Sequence, residues 1–218
     1  MNEIEALIKI FPKLMQGSGV TLLIAVVALI VGALLGLLLA LGRLSKNWFI
    51  DRLCFVYIWL FRGTPLMLQL LFVYYILPRL FPTFTFDQML SAYIAFSLNS
   101  AAYLAEIIRA AIQSIDKGQM EASKALGMSY AQAMRKIIIP QSYRRLIPPV
   151  GNEFIMLLKD TALVTAIALP DLMKVTNGQV SATGSTFMFI PAAIIYLIMT
   201  TVFTFFFEKL EKKYSVYE

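Results

Sequence analysis

Five long apolar runs dominate this chain, at residues 20–41, 53–77, 91–111, 149–169 and 187–207. Each supplies about the 20 residues that a helix needs to cross the hydrocarbon layer of a bilayer. With 59% hydrophobic residues, the 218-residue chain exceeds what a soluble domain usually carries. Strand-type alternation of polar and apolar residues is absent, which argues against a membrane β-barrel. The first run is too long for a secretory signal and has no clear small-residue cleavage site, so it reads as a retained span. The expected fold is an all-α integral membrane protein, a single transmembrane domain over residues 1–218 with five spans.

Lysine and arginine orient those spans. With the N-terminus outside, the inner face receives Arg43, Lys46, Arg52, Arg109, Lys117, Lys124, Arg135, Lys136, Arg144, Arg145, Lys209, Lys212 and Lys213. Only Lys9, Lys13, Arg79 and Lys174 fall outside, while Arg62 and Lys159 lie within spans. This bias predicts an outer N-terminus and a cytoplasmic C-terminus. The net charge of +6 is therefore a topology signal rather than a sign of nucleic-acid binding.

Absences narrow the function. The chain has no histidine, and its single cysteine, Cys54, opens an apolar run, where a packed small residue is the simpler reading than a nucleophile. Histidine-based catalysis, a zinc site and a disulfide framework are excluded. No G-x-x-x-x-G-K-[ST] sequence occurs, so the chain has no Walker-type loop for ATP. An intramembrane hydrolase would need a nucleophile–base pair, and none is identifiable.

The polar residues within the apolar runs cluster by helical phase. On the fourth span, Asn152, Glu153, Met156, Lys159 and Asp160 share an arc of about 120°. A charge at bilayer depth costs roughly 2.5–3.5 kcal/mol or more, so these side chains are expected to face a cavity or one another. A Lys159–carboxylate pair that merely stabilises packing is the bland alternative for Lys159 and Asp160. Two acids against one base leave an excess negative charge, which favours a cationic ligand. On the third span Asn99, Tyr103, Glu106 and Arg109 form a matching stripe; Asn99 and Tyr103 lie deep enough to touch a ligand, whereas Glu106 and Arg109 have the spacing of a surface ion pair. Gly32, Gly36 and Ala40 form a small-residue row on the first span, read as a close packing face.

Between the third and fourth spans lies the polar segment 117–140, which contains EASKALGMSYAQAMRKIIIP at 121–140. Residues 119–133 are good helix formers with Ala122, Ala125, Leu126, Tyr130 and Met134 on an apolar side. Gly127 permits a sharp turn or the close approach of a partner, and Pro140 is expected to mark the boundary before the next span. An ordinary interfacial helix is the plain alternative, but this sequence is too polar to bind a membrane well. Glu121-Ala122-Ser123, Gly127, Ile137 and Pro140 stand at the offsets of the cytoplasmic "EAA" loop of permease subunits in bacterial ABC importers, which this segment resembles. Ser123 replaces the third small residue of that pattern and Ile139 its leucine.

Other segments extend the likeness across nearly the whole chain. Arg62-Gly63-Thr64-Pro65 resembles the RGTP signature of polar amino-acid permeases, and physically it interrupts a helix within the second span. Tyr103, Ala105-Glu106-Ile107, Arg109 and Gly118-Gln119 resemble the lead-in to that family's loop. Asn152-Glu153-Phe154-Ile155 and Leu158-Lys159-Asp160-Thr161 resemble its next span, with Ala162 where serine is common.

The resemblance implies the permease subunit of a polar amino-acid ABC importer with the type I importer fold, a multi-pass protein of the bacterial cytoplasmic membrane. It implies a non-catalytic chain without cofactor or metal, with ATP and Mg²⁺ held by a separate cytoplasmic ATPase. It further implies a second permease chain, identical or paralogous, and an extracellular substrate-binding protein. Glu121, Ala122, Ser123, Gly127, Met128 and Pro140 are the expected ATPase-coupling residues. Asn99, Tyr103, Asn152, Glu153, Met156 and Asp160 are the expected substrate contacts, with arginine, lysine or histidine favoured over glutamine or another polar amino acid. An ATP-independent secondary transporter would explain the buried charges but not the loop, and the inverted repeats frequent in that class are not visible.

Overall fold

The computed structural model describes residues 3–214, which form helices and their connections with no strand among the described residues. The helices are α1 (Glu3–Arg43), α2 (Trp48–Gly63), α3 (Leu66–Leu80), α4 (Gln88–Gln113), α5 (Lys117–Ala125), α6 (Tyr130–Ala133), α7 (Ile139–Asp160), α8 (Leu172–Thr183) and α9 (Phe189–Tyr214). Residues 1–2 and 215–218 of the expected single domain lie outside the described residues.

The central helix is α4. It is buried on several faces at once, through Ser91, Ala92, Ala95, Phe96, Asn99, Ser100, Ala102 and Ala105 among others. These are mostly small residues, so neighbouring backbones approach closely. Gly32 and Gly36 of α1 lie directly against it: a Cβ on Gly32 would stand 2.9 Å from Ser100, and one on Gly36 would stand 3.0 Å from the Ala101 carbonyl oxygen. The small-residue row is thus the α1–α4 contact. The core is completed by Ile24 and Ala28 of α1, Leu70 and Val73 of α3, and Phe154, Leu157 and Leu158 of α7.

α1 extends well beyond the expected 20–41. Its 41 residues reach about 62 Å, roughly twice the hydrocarbon thickness. The N-terminal part packs Ile10 and Leu14 against Leu172, Met188 and Ala192 in a second apolar cluster.

Among the described residues, two helical stretches, Lys9–Arg43 and Thr186–Tyr214, are long and apolar enough to cross a membrane, and the bent pair α2–α3 makes a third if taken as one span. α4 and α7, which carry the expected runs 91–111 and 149–169, fall short in apolarity. The reason for α4 is its position: a helix wrapped by other helices can be built of serine and alanine, whereas lipid contact demands large apolar side chains. The fourth run also differs in its limits. Its α-helix begins ten residues earlier, at Ile139, ends at Asp160, and gives way to a 3-10 segment, Thr161–Ile167, closed by Ala168 at φ 60°.

Pro140 is not the expected boundary. It sits in the first turn of α7, and helical backbone runs on from α6 through a π segment, Met134–Ile138. Proline lacks the N–H for a bond to the carbonyl four residues back and crowds that carbonyl. The wider π turn just before it accommodates both effects without ending the helix.

Candidate functional site

The site is built on the break between α2 and α3, where the two helix axes bend by 103°. Pro65 cannot continue α2, and Thr64 turns extended, at φ −121° and ψ 145°. The freed carbonyls at the end of α2 are taken up by side chains. Thr64 Oγ1 donates to Leu60 O at 2.8 Å. Gln69 Nε2 donates to Phe61 O at 2.9 Å, to Thr64 O at 3.0 Å and to Thr64 Oγ1 at 2.8 Å. From α4, Asn99 Nδ2 reaches Phe61 O at 3.2 Å and Gln69 Oε1 at 3.0 Å. A broken helix is tolerated in a membrane protein when its orphaned groups are satisfied in this way.

Beside the break lies a cavity of about 510 Å³. Its walls are Arg62, Gly63, Thr64, Pro65, Leu66 and Met67 from the break, Asn99 and Tyr103 from α4, and Glu153, Met156, Leu157, Asp160 and Leu163 from α7 and its 3-10 extension. Five of the six expected contact residues, Asn99, Tyr103, Glu153, Met156 and Asp160, line it together. Asn152 does not: it is exposed at the edge of the stripe, as is Lys159.

Arg62 alters the charge balance inferred from α7 alone. Its guanidinium lies over the Tyr103 ring at 5.3 Å from the centroid, a cation–π contact. The cavity's charged groups are thus one guanidinium and two carboxylates, with Lys159 outside. Such a set can grip both ends of a zwitterion through charge-assisted hydrogen bonds. Asn99 serves first as a structural tie, since its amide hydrogens are engaged by the break. Glu106 and Arg109 pair on one helix face, Nη2 to Oε2 at 2.7 Å and Nε to Oε1 at 3.0 Å.

Sequence reasoning passed over Gln69 and did not assign Arg62 to the cavity. Gln69 could have been found as the amide one turn after a helix-breaking proline. Arg62 is the one cation next to that break, yet in sequence it is remote from the carboxylates it faces.

The segment 117–140 forms two helices rather than one. After α5, Gly127 takes φ 78°; its N–H bonds Lys124 O at 2.9 Å and that of Met128 bonds Ser123 O at 3.0 Å, a Schellman closure. Ser129 then caps α6 in a capping box with Gln132. Glu121, Ala122, Leu126, Gly127 and Tyr130 are exposed, Leu126 by 83%, so an apolar patch with one acid at its edge is left uncovered by the chain itself. Ser123 is buried, with Oγ donating to Gln119 O at 2.7 Å, while Met128 and Pro140 are half-buried.

Known proteins resemble this chain over nearly its whole length. The family described as "Binding-protein-dependent transport system inner membrane component" matches residues 32–216. The arginine transport system permease protein ArtQ of Bacillus subtilis (strain 168) is 41% identical over 216 residues, covering 97% of this chain and 96% of its own. The glutamine transport system permease protein GlnP of Escherichia coli (strain K12) is 36% identical over 208 residues, covering 94% of each chain. A chain in the crystal structure of an amino acid ABC transporter with histidines superposes with a TM-score of 0.91 at 37% identity, covering 98% of this chain and 99% of the other. The inward-facing MetNI methionine ABC transporter shares the fold, with a TM-score of 0.82 at 18% identity over 99% of this chain and 100% of its own. The chain belongs to the binding-protein-dependent transport system inner membrane components, and among them to the amino-acid ABC permeases.

Proposed function

We propose that this permease imports a basic amino acid, with ATP hydrolysed by a separate subunit. The observation that carries the reading is the cavity beside the α2–α3 break, in which Arg62 faces Glu153 and Asp160. An α-amino acid brings one carboxylate, which suits the guanidinium, and one ammonium, which suits a carboxylate. Arginine, lysine or protonated histidine brings a second cation for the remaining acid. Similarity to ArtQ supports this choice. Glutamine is the second reading, favoured by the 36% identity to GlnP.

Five spans, an outer N-terminus and a cytoplasmic C-terminus give the cavity its depth in the bilayer and bring residues 117–140 to the cytoplasmic side, in keeping with the lysine and arginine bias. There the exposed patch of Ala122, Leu126 and Tyr130, with Glu121, docks on the ATPase. ATP-driven closure of the ATPase pair moves this element, and the cavity alternates between the two sides of the membrane. A second permease chain and an extracellular substrate-binding protein complete the importer. The cell membrane of a bacterium is its location.

The test is reconstitution in vesicles with the partner ATPase and binding protein. Uptake of labelled arginine is expected only with ATP on the ATPase side, and excess lysine should compete better than glutamine. Uptake driven by an ion gradient without ATP would overturn the importer reading. Better competition by glutamine would move the substrate assignment to the neutral amino acid.

A further inference from the structure

Arg62 and Tyr103 bound more than the cavity beside the break. They are the two residues common to its wall and to the walls of two further cavities, of about 500 and 490 Å³. Both further cavities lie along α4 toward the end that leads into segment 117–140, since Glu106, Arg109 and Ser114 follow Asn99 and Tyr103 down the helix. From Asn99 to Arg109 the descent is about 15 Å. The Arg62–Tyr103 stack therefore partitions the first cavity from the other two.

The cavity of about 500 Å³ reverses the charge of the first. Its wall holds Arg43, Arg62 and Arg109 against one carboxylate, Glu106, beside Phe55 and Trp59. Glu106 answers Arg109, and Asp51, which lies outside the lining, pairs with Arg43. Arg43 still keeps its buried Nε without an acceptor. Arg62 has neither a hydrogen bond nor an ion pair among the described residues, only the face of Tyr103. Two guanidiniums with unused donors on one wall call for an oxyanion.

We propose that this second cavity is a further cargo site, which takes the α-carboxylate of the amino acid on its way from the cavity beside the break to the cytoplasm. The proposal rests on the permease reading above, in which the end of α4 toward 117–140 is cytoplasmic. It holds for arginine and glutamine alike, because both carry the carboxylate. Arg62 stands in both walls and is the group that hands the cargo over. A charge-assisted hydrogen bond outweighs a cation–π contact at a partly exposed site, so a carboxylate draws the guanidinium off the Tyr103 ring and opens the partition. Arg43 Nε then offers a further donor below. The surplus positive charge repels the cargo's ammonium group, so this site holds cargo more weakly than the first cavity and lets it go. A phospholipid phosphate would find the same donors, but the shared wall of Arg62 and Tyr103 ties this cavity to the path of the cargo.

Thiol labelling of the assembled transporter in lipid nanodiscs tests this. Trp59→Cys in a Cys54→Ser chain puts the permease's one thiol in the second cavity; Phe55→Cys, on the same wall, replaces it if that variant does not assemble. Rates are read on the permease chain for methanethiosulfonates bearing a sulfonate or a trimethylammonium group, each relative to its rate with a free thiol in solution. The sulfonate should react about tenfold faster, and Arg62→Gln should remove most of that preference. Arginine should slow the labelling, whereas arginine methyl ester, which lacks the carboxylate, should not. The slowing should persist with Glu153→Gln, a change confined to the first cavity. Equal rates for the two reagents, a sulfonate preference as strong at Trp48→Cys outside the cavity, protection by the ester, or loss of protection with Glu153→Gln would each overturn the proposal. So would labelling that arginine leaves unchanged but phosphatidylglycerol slows relative to phosphatidylcholine alone, since the ligand is then a lipid. Uptake by the Cys54→Ser parent reports separately on transport. Absence of ATP-driven uptake of arginine or glutamine there undoes the importer reading, whereas intact uptake with an unprotected Trp59→Cys undoes only the second site.

Discussion

At the scale of single residues, the outcome turns on where charge is held without water. Glu153 is 8% exposed and shares its wall with Asp160, while Arg62 approaches from the other side of the cavity. Replacing Glu153 by Gln keeps the shape and removes the charge. Uptake of arginine should fall by about tenfold or more, the worth of one charge-assisted hydrogen bond, while uptake of a neutral amino acid changes far less. An equal loss for both substrates would make Glu153 structural. Gln69 is a second test. Its amide serves Phe61 O and Thr64 O and accepts from Asn99. Gln69→Leu should lower stability by about 1 kcal/mol, because Thr64 O loses its donor, Asn99 its acceptor and Phe61 O one of its two amide donors, seen as a lower midpoint of thermal unfolding in detergent. The carboxylates were legible in the sequence because both lie on one helix, seven residues apart, where phase alone brings them together. Arg62 was not, because phase on one helix says nothing about which other element faces it.

At the scale of elements, the loop at 117–140 shows how local chemistry decides shape. Helix propensity over 119–133 favours a continuous helix, but Gly127 at φ 78° and the Ser129–Gln132 capping box stop one helix and start another. Both signals stand in the sequence, glycine followed two residues later by a capping serine, and outweigh summed propensity because they satisfy the orphaned groups of both helix ends. Pro140 misled for the opposite reason: its cost was absorbed by the π turn before it, and nothing in the residues of that turn announces a change of pitch. Gly127→Ala should cost about 1 kcal/mol of local stability because the left-handed conformation crowds a Cβ. Gly127→Asp adds a charge to the exposed patch. It should abolish substrate-stimulated ATPase activity and uptake while the permease still purifies as a folded complex. Normal stimulation in that variant would remove the segment from the coupling path.

At the scale of the whole molecule, hydropathy and position trade places. α1 and α9 meet the demand of lipid with large apolar side chains, and their existence could be read from the sequence directly. α4, at the centre, is as essential to the bundle but is built from serine and alanine, so its role emerges only from what surrounds it. The same logic ties orientation to mechanism. If the N-terminus lies outside, Lys124 in α5 and Lys174 in α8 fall on opposite sides of the membrane, because α7 and its 3-10 extension run between them. In a Cys54→Ser background, Lys124→Cys should react with a membrane-impermeant thiol reagent only in inverted vesicles. Lys174→Cys should react only in intact cells stripped of any outer barrier. Two cytoplasmic sites would mean that α7 does not cross, and the cavity would then lack the depth that alternating access requires. The reverse pattern, with Lys124 outside, would remove the exposed patch at Leu126 and Tyr130 from any contact with a cytoplasmic ATPase, and with it the route by which ATP could drive this permease.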